Sequence, residues 1–245
     1  VRHRFSFYTL SRYLVLRIPM TITAIEIQAR RKDRRSIFLD GAFALALDET
    51  LVLEYGLFVG REVSQQELEQ WRAADLFQQT LNHALNFITF RPRSRQEVRR
   101  TLQRRRVAPE LIEQVLAKLE EMGVLSDQQF AAFWVENREQ FNPRGARALG
   151  AELRQRGVDR ETIEATVAPE RDAERALAAA QKKLRSLMHA DYQTFRKQLG
   201  SFLLRRGFSY GVSAGVVRQL WEQLHQERPA EEDDEAFDGD TLLDQ

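Results

Sequence analysis

The chain contains no cysteine. Disulfides, thiolate nucleophiles and thiolate metal sites are therefore excluded, and the composition suits a reducing cytoplasm. Its four histidines, His3, His83, His189 and His225, are scattered, with no i,i+4 pair to grip a metal. No apolar run reaches the ~18 residues a membrane span requires. Also missing are G-x-x-x-x-G-K-[ST], G-x-G-x-x-G and G-x-S-x-G, and with them a phosphate cradle and a serine elbow. No cluster of acids stands ready for a catalytic metal. The absences together indicate a binding protein, not an enzyme, with no cofactor.

What is present is charge, unevenly spread. Formal net charge is +1, yet residues 226–245 hold nine acids against one base, Arg228. The body is correspondingly basic, which points to a polyanionic or acidic partner. The tail is poor in apolar residues and is expected to be disordered. Its Asp238-Gly239-Asp240 could bind a cation only within such a segment. Residues 1–19 imitate a signal peptide weakly: Arg12 and Arg17 interrupt the apolar patch, and no small-residue cleavage site comes after it. Met20 precedes the first well-patterned strand, so residues 1–20 read as an extension from a start placed too far upstream.

Residues 21–28 alternate and are rich in Ile and Thr. Residues 36–39 and 42–47 flank Asp40-Gly41, a strong short hairpin signal because both turn positions need φ > 0. A three-stranded meander over 21–47 is expected, packed on a helix over 48–55 that stops at Gly56, but separate from the helical core of the remaining chain. Ser64-Gln65-Gln66-Glu67 is a capping box opening a helical stretch of unset length.

From there the chain repeats. FRPRSRQEVRRTLQRRRV (90–107) carries eight arginines between Arg91 and Arg106 and one acid, Glu97. Shifted by 51, it lies on FNPRGARALGAELRQRGV (141–158); through position 112 there are eight identities, including Phe90/Phe141, Arg105/Arg156 and Val107/Val158. A shift of 50 then brings Leu149, Gly150, Leu153, Arg156 and Gly157 onto Leu199, Gly200, Leu203, Arg206 and Gly207. Such a period marks stacked units. Each copy reads as three helices, punctuated by Pro92, Pro109, Gly123, Pro143, Gly157 and Gly207. Ser94/Glu97 forms a capping box, Ser126 caps the next helix, and Asn142-Pro143 is expected as an N-cap with proline at N1. The predicted architecture is mainly α: three tandem three-helix repeats (64–125, 126–171, 172–225) in an elongated monomeric array. A strand-and-helix segment over 21–63 precedes them, and the acidic tail comes last. A unit of ~50 residues is marginal alone, so each should lean on its neighbour.

The middle helix of each copy is basic. At about 100° per residue, Val98 and Leu102 face inward, and Arg95, Arg99 and Arg106 share one flank. Arg100 and Arg104 fall beside Glu97, which could pair with them. Like charges at i,i+4 slightly destabilise a helix, and an anionic partner would offset that. The plain alternative is a solvated helix face. The candidate contact residues are Arg91, Arg93, Arg95, Arg99, Arg100 and Arg106, then Arg144, Arg147 and Arg154, then Arg205 and Arg206. Arg156, Arg196 and Lys197 would extend the surface.

The stretches ITAIEIQARRKDRRSIFLDGAFALAL, RPRSRQEVRRTLQRRRV, GVLSDQQFAAFWVENR, RGVDRETIE and LLRRGFS, in this order, resemble the RecX family of recombination regulators. The resemblance implies tandem three-helix units that lie along the groove of a RecA filament on single-stranded DNA. It also implies restraint of ATP hydrolysis, strand exchange and the induced proteolysis of the SOS response. Weak direct DNA binding could accompany this. The chain departs from the pattern at Arg106, where the other two copies have Gly157 and Gly207, and the match omits residues 1–19 and the tail. Some members lack the amino-terminal strands. The alternative from the residues alone is a direct DNA-binding module built of helix-turn-helix-like trihelical units.

Overall fold

A computed structural model describes residues 19–226. The extension ahead of Met20 and the acidic tail beyond Gln226 lie outside the described residues. The described chain forms four strands and ten α-helices, so it is mainly helical.

Strands β1 (Met20–Ile27), β2 (Arg34–Leu39) and β3 (Ala42–Asp48) form the expected antiparallel meander. Asp40 and Gly41 take φ of 50° and 84°, the turn their sequence demands, and Leu39 pairs with Ala42. A fourth strand was not legible: β4 (Glu62–Val63) returns to pair with Met20 and Thr21 on β1. Two residues carry no alternation to read. Between β3 and β4 lies α1 (Glu49–Glu54), capped by Asp48.

The capping box at Ser64 opens α2 (Gln65–Ile88), one continuous helix of 24 residues. Ser64 Oγ accepts from the Glu67 amide at 3.2 Å, and the Glu67 carboxylate accepts from the Ser64 amide at 2.9 Å. The bond from the Ser64 amide, with one from the Ser64 hydroxyl at 2.9 Å, holds the Glu67 carboxyl below the usual carboxylate range. The sheet is not an attachment separate from the helical core. Ile22, Ile37, Leu45 and Leu47 bury against Leu68 and Trp71 of α2. Arg34 donates two bonds to Asp75 of α2, at 3.0 and 2.8 Å, and Asp75 also accepts from the Asp48 amide. A buried pair with its remaining lone pairs satisfied fixes geometry more than it adds stability.

The first repeat is completed by α3 (Arg95–Arg104) and α4 (Pro109–Glu121). The second holds α5 (Asp127–Phe141), α6 (Ala146–Gln155) and α7 (Arg160–Thr166). After a 3₁₀ turn at Pro169–Arg171, the third holds α8 (Asp172–Leu184), α9 (Tyr192–Arg205) and α10 (Tyr210–Gln226). Phe130, Leu149, Leu153 and Ile163 share the second repeat's core; Ala176, Phe195, Leu199, Leu203 and Val216 share the third's.

The chain divides into two compact units, and the division crosses α3. Of the described residues, one unit comprises those up to Arg91 with Val98–Val124; the other comprises Pro92–Glu97 with those from Leu125 to Gln226.

Candidate partner-binding surface

The three middle helices end alike. At the close of α3, α6 and α9, residues 106, 157 and 207 take φ of 60°, 84° and 89°. The next amide reaches back to Leu102, Leu153 or Leu203. Glycine suits this left-handed position, and Arg106 occupies it without that freedom. Arg106 has therefore left the helix before its projected turn. It does not extend the flank of Arg95 and Arg99, as a continuous wheel predicts.

Within the second unit, each such end receives the start of an earlier middle helix. Ser94 Oγ donates to the Arg156 carbonyl at 2.7 Å, and the Gly145 amide donates to the Arg206 carbonyl at 3.1 Å. A Cβ on Gly157 would lie 2.5 Å from Gln96 Cβ, and one on Gly207 would lie 2.4 Å from Ala148 Cβ. The glycines allow that approach.

Ser94 Oγ caps the Glu97 amide of α3 locally at 3.1 Å, but the first amides of α3 and α6 are capped from a distance. Asp127, first residue of α5, accepts from the Arg95 amide at 2.7 Å. Asp172, first residue of α8, accepts from the Ala146 amide at 2.9 Å. Asn142 is thus not the cap of α6; it ends α5, and its side chain accepts from Arg206. The remote carboxylate takes the capping role instead. In the third repeat α9 is capped locally by Asp191.

The arginines divide by what they touch. Arg156 donates to Glu97 at 2.5 Å and lies 3.8 Å over the Trp134 ring. Glu97 is therefore engaged by Arg156, where the wheel offered Arg100 and Arg104. Trp134 donates to Glu152 at 2.8 Å, and Arg138 covers the ring at 4.3 Å. Arg144 pairs with Glu152 at 3.0 Å. Arg206 donates to Asn142 and to the Pro143 carbonyl and lies 4.6 Å from the Phe202 centroid. Burial, and then the charge of Arg144, presses Arg206 below the ordinary arginine range. Arg99 forms a two-pronged pair with Glu113 of α4, at 2.9 and 3.0 Å. Arg91, Arg93 and Arg95 are half-buried and engaged.

Arg100, Arg106, Arg147, Arg154 and Arg205 are exposed, as are Arg196 and Lys197. Sequence reasoning passed over a second repeating feature: Phe90 and Phe141 are 87% and 65% exposed. Their identity at a shift of 51 was the available signal. No described group of acids and histidines could hold a metal, and no described helix is long and apolar enough to cross a membrane.

Tandem three-helix units that follow a small antiparallel sheet define a repeat protein, and exposed cations recur on its middle helices. Family profiles agree unit by unit. The regulatory protein RecX N-terminal domain matches residues 20–64, and the first, second and third RecX three-helix domains match 81–119, 126–167 and 170–217. The chain is 30% identical over 209 residues to the regulatory protein RecX of Listeria monocytogenes serotype 4a (strain HCC23), covering 84% of this chain and 77% of that one. It is 28% identical to that of Bacillus subtilis (strain 168), covering 81% and 76%. A crystal structure of regulatory protein RecX superposes with a TM-score of 0.66 at 24% identity, covering 83% of this chain and 99% of that one. RecX from Lactobacillus salivarius gives 0.55 at 23%, covering 61% and 99%. The chain belongs to the RecX family of regulatory proteins.

Proposed function

We propose that this protein binds the RecA filament on single-stranded DNA in the cytoplasm and, acting as a monomer without cofactor, restrains its ATP hydrolysis, strand exchange and coprotease activity. It would thereby regulate recombination and the SOS response. The observation that carries the reading is the recurrence of exposed arginines on the middle helices of a RecX-family chain: Arg100 on the first, Arg147 and Arg154 on the second, Arg205 on the third. Repetition suits a partner that itself repeats, whereas a duplex reader concentrates its contacts in one recognition helix. Of the eleven candidate positions, these four and Arg106 are the proposed contacts; Arg99, Arg144 and Arg206 have internal partners.

The test is co-sedimentation with RecA filaments, with and without ATP, beside RecA ATPase rates and binding to naked DNA. Wild type should co-sediment and slow hydrolysis. The R100E/R147E/R205E variant should keep its melting temperature and lose both effects. Retention on naked duplex without filament binding would favour the direct DNA-binding alternative.

A further inference from the structure

A cleft of about 500 Å³ opens in the third repeat between α9 and α10. Three glycines line it: Gly200 of α9, Gly211 and Gly215 of α10. None has positive φ, and a Cβ on any of them meets nothing within 4 Å. Neither turn geometry nor packing calls for glycine there, and glycine weakens a helix. The second repeat supplies the contrast. Gly150 occupies the position equivalent to Gly200, and its Cβ would lie 3.4 Å from Ile163 of α7. The space that α7 fills in one repeat stands open in the next.

The walls of the cleft are chemically one-sided. Arg196, Lys197 and Arg218 line it, no carboxylate does, and none of the three has an ion pair or hydrogen bond among the described residues. At the rim Tyr210 is 77% exposed, and Tyr192 is braced by Trp221 at a centroid distance of 5.1 Å. Ser213, also on the wall, is 2% exposed, and its hydroxyl has no partner among the described residues. A buried hydroxyl without a partner is a cost that a bound ligand's polar edge would remove. A second cleft along α9 shares Lys197 and Ser201 and adds Lys183 and Arg205, so the cations continue past the first cleft.

We propose that this cleft holds an unstacked nucleotide of a single-stranded nucleic acid, its base on the glycine floor against the tyrosine rim and its phosphates along Arg196, Lys197 and Arg218. Glycine gives a flat base close approach, tyrosine gives it a stacking face, and the line of cations follows a polyanion. An acidic peptide would use the cations but would have no need of an open floor or of aromatic faces. The inference does not rest on the filament reading, and bare oligonucleotide probes it apart from any filament.

Anisotropy of a labelled oligothymidylate with the full chain tests it. Wild type should bind, with affinity falling as salt rises. Gly200→Leu and Gly215→Leu, which fill the cleft, should weaken binding about tenfold or more. Tyr210→Ala, at an exposed position where misfolding is not a concern, should do the same. Gly215→Ala should melt no lower than wild type. Unchanged binding by variants that melt like wild type would overturn the proposal. So would displacement of the oligonucleotide by polyglutamate with no effect of Tyr210→Ala, which would mark a site for acidic peptide.

Discussion

Position 106 shows how one backbone conformation takes different residues according to its surroundings. Arg106, Gly157 and Gly207 all sit in the left-handed region at the end of a middle helix. The two glycines meet another helix start within van der Waals distance, whereas Arg106 is exposed. Arg106→Gly should therefore stabilise the chain by about 0.5–1 kcal/mol, since the strain goes and no burial is lost. Gly157→Ala and Gly207→Ala should destabilise by about 1–3 kcal/mol, because strain and overlap add. Urea melts of the three variants check the opposite signs. Asp159 and Asp191 each accept from a backbone amide three residues on, Thr162 and Thr194 respectively, and both are held below the ordinary value of 3.8 by those bonds. A depressed carboxylate stabilises the fold above its unfolded value, and that contribution is lost as pH falls through the folded one. Melting temperature should fall below a pH of about 3.8, and Asp159→Asn with Asp191→Asn, which can still cap, should flatten that fall.

Among elements, what could be read in advance was what is local. The Asp40-Gly41 turn, the Ser64 box, the Ser126 cap and the helical stripes are each written within a few residues. Contacts made at long range were not readable. The carboxylate that caps α6 lies 26 positions after the amide it meets, and the partner of Glu97 lies 59 positions away. A helical wheel could therefore rank arginines by direction but could not tell which were already engaged. That is why Arg99, Arg144 and Arg206 stood among the candidates while Phe90 and Phe141 did not. Removing the remote cap should be felt. Asp172→Ala deprives the Ala146 amide and the Arg175 guanidinium of an acceptor, and a loss of about 2 kcal/mol is expected in urea unfolding.

For the whole molecule, exposed features carry the functional expectation. Phe90→Ala and Phe141→Ala remove rings that are mostly exposed, so melting should barely move. Loss of the proposed RecA inhibition by the pair would assign these rings to the partner surface, and unchanged inhibition would remove them from it. The remote caps also give the chain a direction in time. A ribosome delivers the start of α6 before it delivers Asp172, and the start of α3 before Asp127. The first amide of each, Arg95 on α3 and Ala146 on α6, waits for a carboxylate that only later sequence supplies, although Ser94 already caps the Glu97 amide of α3. Folding of the array should therefore trail synthesis by one repeat, until α9, which carries its own cap, ends the wait.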